Sequence, residues 1–186
     1  MNDSTKVIYR EIQDRLVKVI WTHKVHLCQA DIHSKRNRRR NNTLLICSVL
    51  VSAAAITNIF KWLPESVILP LLALLSLLLT FLTLKFKAEN LDKEASENER
   101  FAATMHNLRN QYSSLLSDIK AGVLSDKEII RRRDQLEKDE DLIYSGNVPA
   151  TTATAKDVAD KALKSELDST TIDEEIELLV SSNLQL

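Results

Sequence analysis

Three histidines, His23, His26 and His33, are the residues of this sequence whose type and spacing first suggest chemistry. Imidazole nitrogen is a common zinc ligand, and residues three apart, such as His23 and His26, share a face of a helix. His33 would lie about 15 Å further along the helix axis than His23, so the three cannot bind one ion. Because no carboxylate or thiol shares their face, we expect polar packing in a helix interface, with no metal and no cofactor.

The same histidines leave a second role open, because imidazole changes its charge close to physiological pH. An interface containing three of them would gain three charges at about pH 6. A pH-sensing interface is therefore the alternative to simple polar packing.

Hydroxyl side chains recur inside two otherwise apolar runs. Ser76, Thr80 and Thr83 share a face of the second run, and Ser48 and Ser52 share a face of the first. Small and hydroxyl residues let membrane helices approach closely, but such faces can also line a narrow aqueous pore in an oligomer. Both interpretations stay open, and for a pore wall the second run is the first choice. No charged residue lies within either run, so ion-coupled transport is not indicated.

The composition argues against an enzyme. The sequence contains only two glycines, whereas a phosphate-binding loop or a dinucleotide fingerprint needs several close together. No Ser-His-Asp or Cys-His pairing has a plausible pocket. Cys28 lies in a polar segment and Cys47 in an apolar run, so we expect them at different depths and without a disulfide. We therefore expect no catalytic residues.

Two long uncharged runs are expected to position these side chains. Residues 43–60 read TLLICSVLVSAAAITNIF, and residues 66–84 read SVILPLLALLSLLLTFLTL. Each is about long enough to cross a hydrocarbon core as a helix, and the short link forces the two helices antiparallel. We predict a transmembrane hairpin over residues 43–86, with spans at about 43–62 and 66–86 and with Trp62 at the membrane interface. Two adjacent uncharged runs favour this over a buried hairpin in a soluble protein.

Basic residues flank the two runs on the side away from the link. They are Lys35, Arg36, Arg38, Arg39, Arg40, Lys85 and Lys87. The positive-inside rule therefore predicts a multi-pass membrane protein with both termini in the cytoplasm and the link outside. The same cations suit anionic lipid headgroups. The net charge of −1, and a basic run without interleaved aromatic residues, argue against direct nucleic-acid binding.

Long amphipathic helices are predicted before and after the hairpin. Residues 4–34 are apolar on two faces, and a helix that is apolar on two sides must be covered on both. One chain offers few partners, so we expect a homo-oligomer. The interface candidates are Leu16, Val19, Trp21, His23 and His26.

After the second run, apolar and small residues continue in steps of three and four to Ile119, which is the pattern of a coiled coil. We predict one helix from about Ser66 to Ala121, ended by Gly122, and another from the capping box at Ser125 to about Tyr144. The predicted fold class is an all-α membrane protein. Its regions are a cytoplasmic amphipathic helix with the basic run (1–42), the transmembrane hairpin (43–86), a cytoplasmic helical region continuous with the second span (87–146), and a linker with an acidic helical tail (147–186).

Several of these segments together carry a resemblance to a known family. They are Ile20-Trp21-Thr22-His23-Lys24-Val25-His26, the basic run, the stretch LALLSLLLTFLTL in the second run, and a heptad helix with Ala102 and Leu108-Arg109. In this order they resemble the SLATT family, the two-transmembrane effector domains that associate with SMODS nucleotidyltransferases and SLOG-type sensors. The resemblance covers about residues 7–144. It implies membrane disruption by a pore-forming module in bacterial conflict systems, with no catalytic motif to carry over.

We therefore expect a membrane effector of bacterial antiphage defence that oligomerises to form a pore or to disrupt the inner membrane. Its trigger would be a nucleotide signal or a companion protein, namely a nucleotidyltransferase, a reverse transcriptase or a sensor. The alternative is a non-conducting membrane anchor or scaffold for a cytoplasmic partner enzyme. Dye leakage from liposomes separates the two, because a scaffold releases nothing.

Overall fold

The computed structural model describes residues 3–59 and 64–165, which form helices joined by short turns, without a strand. The helices are α1 (Asp3–Ile59), α2 (Glu65–Ala88), α3 (Leu91–Lys120), α4 (Asp126–Ser145) and α5 (Ala153–Ser165). The predicted all-α fold is confirmed. Trp62 and the end of the acidic tail, from residue 166 onward, lie outside the described residues.

α1 is one helix of 57 residues that runs through the N-terminal segment, the basic run and the first apolar run. It contains no glycine and no proline, so nothing in its sequence interrupts the ladder of backbone hydrogen bonds. The N-terminal helix and the first span are therefore parts of a single element.

The contacts of the chain fall into two units. The first, called here the head, comprises Met1–Ala30 and Ser96–Leu186, and the second, called the hairpin unit, comprises Asp31–Ala95. α1 and α3 contribute residues to both units, whereas α2 belongs to the hairpin unit and α4 and α5 belong to the head.

One apolar core holds the head together. Its buried members include Tyr9, Ile12, Leu16 and Val19 from α1, Met105, Tyr112 and Leu116 from α3, and Ile129 and Leu136 from α4. On α1 and α3 they recur at intervals of three and four residues, which is the spacing of one helix face. Burying one such side chain contributes roughly 1.5–3 kcal/mol.

Two of the predicted interface residues belong to this core of a single chain. Leu16 and Val19 are 1% and 0% exposed, so their face of α1 is covered by α3 and α4 and not by a second copy. The other apolar face of α1 is mixed, since Val25 is buried and Val7 is 69% exposed. The sequence did not show this cover, because α3 and α4 lie about a hundred residues further along the chain.

The predicted heptad face of α3 is buried. Its positions up to Ala95 pack within the hairpin unit, and the later ones pack within the head. Its buried positions are Leu91, Ala95, Asn98, Ala102, Met105, Tyr112, Leu116 and Ile119. At the end of the helix, Gly122 has a φ of 68°, the left-handed conformation that glycine adopts without strain. Ser125 then accepts a hydrogen bond from the Glu128 N–H at 3.4 Å and caps α4, as predicted.

The helix predicted to run unbroken from about residue 66 to 121 is divided at Glu89 and Asn90. The Asn90 carbonyl accepts hydrogen bonds from the Lys93 and Glu94 N–H groups and starts a new helix. Asparagine favours a helix start over a helix interior, and Asp92 and Glu94 suit the positive end of the new helix dipole. The heptad pattern continues across this turn, which is why periodicity alone did not reveal it.

Candidate membrane hairpin and its polar base

The two arms of the hairpin meet along a seam of apolar residues. The less exposed positions are Leu44, Cys47, Val51 and Ala54 on α1, and Ile68, Leu72, Leu75, Leu79, Leu82 and Phe86 on α2. Both sets step by three and four residues, as expected for two antiparallel helices packed along one stripe each. Besides this stripe, Ala55 and Thr57 are half-buried, and the other described positions between residues 43 and 86 are exposed.

The remaining surface of the hairpin is apolar and exposed. Both arms are long and apolar enough to cross a membrane, and only 6% of each apolar stretch is buried. Leu45, Leu74 and Leu77 are 66%, 67% and 72% exposed. Soluble monomers rarely expose contiguous apolar surface on this scale, whereas a hydrocarbon environment favours it.

The five residues predicted as pore-wall candidates are exposed, and the hydroxyls of Ser52, Thr80 and Thr83 are hydrogen-bonded within their own helices. Thr80 donates to the Ser76 carbonyl at 2.9 Å, Thr83 to the Leu79 carbonyl at 2.7 Å, and Ser52 to the Ser48 carbonyl at 3.0 Å. Each bond satisfies the hydroxyl proton inside its own helix and lowers the cost of placing the group in an apolar medium. The hydroxyl oxygens keep lone pairs that can accept further hydrogen bonds.

The two hydroxyl stripes lie on the same side of the hairpin. Each step along a helix rotates by about 100°, so in an antiparallel pair the residues directly after the seam turn to one common side. Ser48 and Ser52 follow seam residues of α1, and Ser76, Thr80 and Thr83 follow seam residues of α2. These five residues, called here the hydroxyl flank, form one surface. The sequence periodicity had indicated two separate stripes, one on each helix.

The opposite side of the hairpin, one residue before the seam, is called here the leucine flank. It carries Ile46 and Leu50 from α1, and Leu71, Leu74, Leu78 and Phe81 from α2, all of them exposed. The hairpin therefore has one flank that carries the five hydroxyl groups and one on which these six positions are hydrocarbon, with Thr43 and Thr57 toward its two ends.

The end of the hairpin unit away from the link between α1 and α2 is called here the base. It contains several polar contacts between α1 and the turn after α2. The Arg40 guanidinium pairs with the Glu89 carboxylate and lies 5.0 Å from the centre of the Phe86 ring. Arg36 reaches the same Glu89 at 3.6 Å, and His33 Nδ1 lies 3.3 Å from a Glu94 carboxylate oxygen. Together these contacts hold the turn between α2 and α3 against α1.

Arg40 was predicted, with the other cations, to mark the membrane topology or to face lipid, and in the structure its side chain does not face outward. Its side chain is only 9% exposed, because it is enclosed by Glu89 and Phe86. The other six cations are exposed: Lys35 and Arg36 pair with Asp31 and Glu89, whereas Arg38, Arg39, Lys85 and Lys87 have no acidic partner among the described residues. The helix break supplies the acidic partner, and the sequence pattern did not place it beside Arg40.

The histidines predicted to share an interface have separate partners. His26 is buried, its Nδ1 lies 2.8 Å from Asn98 Oδ1, and its ring centre lies 4.3 Å from that of Phe101. His23 lies 5.5 Å from the His106 ring. Burial lowers the pKa of both His26 and His23, and the neighbouring His106 lowers that of His23 further. Both are therefore neutral packing residues at neutral pH.

Trp21, the last interface candidate, fastens α5 onto α1. Its Nε1 donates to Asp160 Oδ1 at 2.7 Å. Just before α5 begins, the Thr152 N–H donates to Gln29 Oε1 of α1 at 2.8 Å. Ala155 and Ala159 of α5 are completely buried, since alanine allows a close helix contact.

A polar cluster in the head was not foreseen from the sequence. Tyr112 Oη donates to Glu140 Oε2 at 2.7 Å, and Arg15 contacts Glu140 at 3.3 Å and Glu137 at 3.1 Å. Burial is the main cause that raises the pKa of Tyr112, and the bond to the Glu140 carboxylate adds to it. The cluster joins α1, α3 and α4 through residues up to 125 positions apart, a separation that leaves no periodic signal.

These features define a class: an all-helical protein with a two-helix hairpin suited to crossing a membrane and a packed helical head. A family model described as SMODS and SLOG-associating 2TM effector domain family 4 matches residues 8–175, and the chain belongs to this family. The resemblance stated from the sequence is confirmed, and the match extends past residue 144 through α5. Neither the curated proteins nor the solved structures gave a match to this chain.

Proposed function

We propose that this chain is a non-catalytic membrane effector of a bacterial antiphage defence system. It lies in the inner membrane with both termini in the cytoplasm, and several copies assemble through their hairpins into a pore. The family description associates such domains with SMODS and SLOG proteins, so the trigger is proposed to be a companion protein of that kind or the nucleotide signal it handles.

The hydroxyl flank is the observation that carries this proposal. Two helices cannot enclose water, so a pore needs several hairpins, each of which turns the same flank inward. The flank combines Ser48 and Ser52 with Ser76, Thr80 and Thr83 on one side of the pair. The hydroxyl oxygens of Ser52, Thr80 and Thr83 retain acceptor capacity after their intrahelical bonds, which suits contact with water or ions. The leucine flank suits lipid.

A matched pair of substitutions tests this arrangement. Thr80→Leu replaces a hydroxyl on the hydroxyl flank by an apolar side chain, which favours dewetting of a narrow pore. Thr57→Leu makes the same chemical change on the other side, where Thr57, half-buried near the end of α1, lies two turns after Leu50 on the leucine flank. The two threonine hydroxyls make equivalent hydrogen bonds, since each donates to the carbonyl four residues earlier at 2.9 Å.

The measurement is dye release from liposomes across a series of protein densities, together with growth arrest when the protein is overproduced. We expect Thr80→Leu to abolish or strongly reduce both, and Thr57→Leu to retain both, at equal expression. Equal loss in the two variants would remove the hydroxyl flank as the pore wall. Absence of release by the unsubstituted protein at every density, with and without its companion protein, would favour the scaffold function instead.

A further inference from the structure

The base of the hairpin holds two kinds of basic residue. Lys35 pairs with Asp31, and Arg36 and Arg40 pair with Glu89. By contrast, Arg39 and Lys85 are exposed and form no ion pair with any residue in the described ranges. Their charges are available to a ligand outside the chain.

Arg39 and Lys85 are brought together on one side of the hairpin. Arg39 directly precedes Arg40, and Lys85 directly precedes Phe86, and the Arg40 guanidinium lies 5.0 Å from the centre of the Phe86 ring. This contact fixes the level at which the two helices meet. Arg40 and Phe86 meet between the two arms, and a residue that directly precedes such a position lies on the leucine flank. Arg39 and Lys85 therefore lie on that flank at about the same height along the hairpin.

From the two cations toward the link between the arms, the leucine flank is apolar apart from Thr43, whose hydroxyl donates to the Arg39 carbonyl at 3.0 Å. On α2 it continues through Phe81, Leu78 and Leu74, which are 62%, 44% and 67% exposed, and on α1 through Ile46 and Leu50. The surface therefore places two positive charges at the end of a hydrocarbon strip. The ligand complementary to this surface has an anionic head and long apolar chains. An anionic phospholipid has both.

We propose that Arg39 and Lys85 bind the phosphate of an anionic phospholipid in the adjacent leaflet, with its acyl chains along the leucine flank. Guanidinium and ammonium groups both donate charge-assisted hydrogen bonds to phosphate oxygens. The long stems of the two side chains pack on apolar surface while their charged ends reach the headgroup region. This site is independent of pore formation, because it lies on the flank away from the hydroxyl groups.

A control with the same charge change is available in the same segment. Arg38 and Lys87 are also exposed cations, but Lys87 follows Phe86 and turns to the hydroxyl flank, and Arg38 is one step further from the seam. Arg38→Gln with Lys87→Gln therefore removes two charges from the base without removing either proposed ligand.

The test is lipid titration of the full-length protein in detergent, followed by native mass spectrometry with phosphatidylglycerol and phosphatidylcholine. The unsubstituted protein should retain phosphatidylglycerol preferentially, and Arg39→Gln with Lys85→Gln should weaken that binding on the order of thirtyfold, from about 1 kcal/mol for each cation. The control pair should retain the preference. Inorganic phosphate should not displace the lipid, since it lacks the acyl chains.

Three outcomes would overturn the proposal. Unchanged phosphatidylglycerol binding by the Arg39 and Lys85 variant would exclude these ligands. Equal weakening in the control variant would show attraction by overall charge without a defined site. Displacement by inorganic phosphate at a concentration similar to that of the lipid would show a site for soluble anions.

Discussion

His26 Nδ1 donates a hydrogen bond to Asn98 Oδ1 across 2.8 Å, and both side chains are almost completely buried between α1 and α3, at 4% and 2% exposure. The bond satisfies both buried partners, while the burial disfavours the charged imidazolium and lowers the pKa of His26. It lies beside the Phe101 ring, so protonation of His26 would place a charge in apolar surroundings.

The stability of the head should therefore depend on pH. The pKa of His26 is lowered in the folded state, so below about pH 6.5 the unfolded chain binds more protons than the folded one. The free energy of unfolding should then fall as the pH drops through that value, by up to about 1.4 kcal/mol per pH unit for this group, and should be constant above it. His23 acts in the same direction.

Thermal unfolding at pH 7.5 and pH 5.5 measures this effect. His26→Gln keeps a donor for Asn98 but does not titrate, so its unfolding temperature should change less between the two pH values than that of the unsubstituted protein. An equal pH response in the variant would mean that other groups dominate.

Val19 tests whether its face of α1 serves folding or assembly. Val19→Ala should destabilise the head by about 2 kcal/mol, because it removes two carbons from a fully buried site. Val7→Ala makes the same change at a side chain that is 69% exposed and should cost little. The measurement is unfolding by denaturant, combined with particle mass. A change in oligomer mass for Val19→Ala without loss of stability would restore Val19 as an interface residue between copies.

Tyr112 should stabilise the head through its bond to the Glu140 carboxylate. Tyr112→Phe removes the donor from a buried carboxylate, which leaves Arg15 as its partner, and should cost on the order of 1.5–3 kcal/mol. Tyr144→Phe is the matched control, because the Tyr144 hydroxyl makes an exposed contact of 3.2 Å with Thr22. Equal unfolding free energies for the two variants would contradict the role assigned to the Glu140 contact.

Arg40 should stabilise the turn between α2 and α3. Arg40→Gln leaves Glu89 with only the more distant Arg36, so amide hydrogen exchange around Glu89 and Asn90 should become faster. The neighbouring Arg38→Gln removes the same charge from an exposed position and should leave that exchange unchanged. Unaltered exchange in Arg40→Gln would show that backbone hydrogen bonds alone hold the turn.

The proposed topology can be tested by cysteine labelling in a background in which Cys28 and Cys47 are alanine. A cysteine at Glu65, at the start of α2, should react with an impermeant thiol reagent added outside intact cells. A cysteine at the exposed position Asn107 of α3 should react only after the cells are opened. The reverse pattern would overturn the orientation assigned from the flanking cations.

The sequence by itself determined the helical class, the two apolar arms and several helix ends, although not the break at Glu89 and Asn90. Uncharged runs long enough to cross a bilayer leave few alternatives, and Gly122 and Ser125 mark a helix end and a helix start by local backbone chemistry that needs no distant partner. Local signals of this kind act within a few residues, so they can be identified before the fold is known. The heptad face of α3 was also predicted as a buried face, although not what covers it.

Only the tertiary structure decided which surfaces are covered and which are free. It placed Leu16 and Val19 inside one chain, enclosed Arg40 with Glu89, and joined the two hydroxyl stripes on one flank. These outcomes depend on the direction and register of helices that are far apart in sequence. Periodicity defines a helix face but not its partner, because the same apolar spacing suits a neighbouring helix, a second copy or lipid.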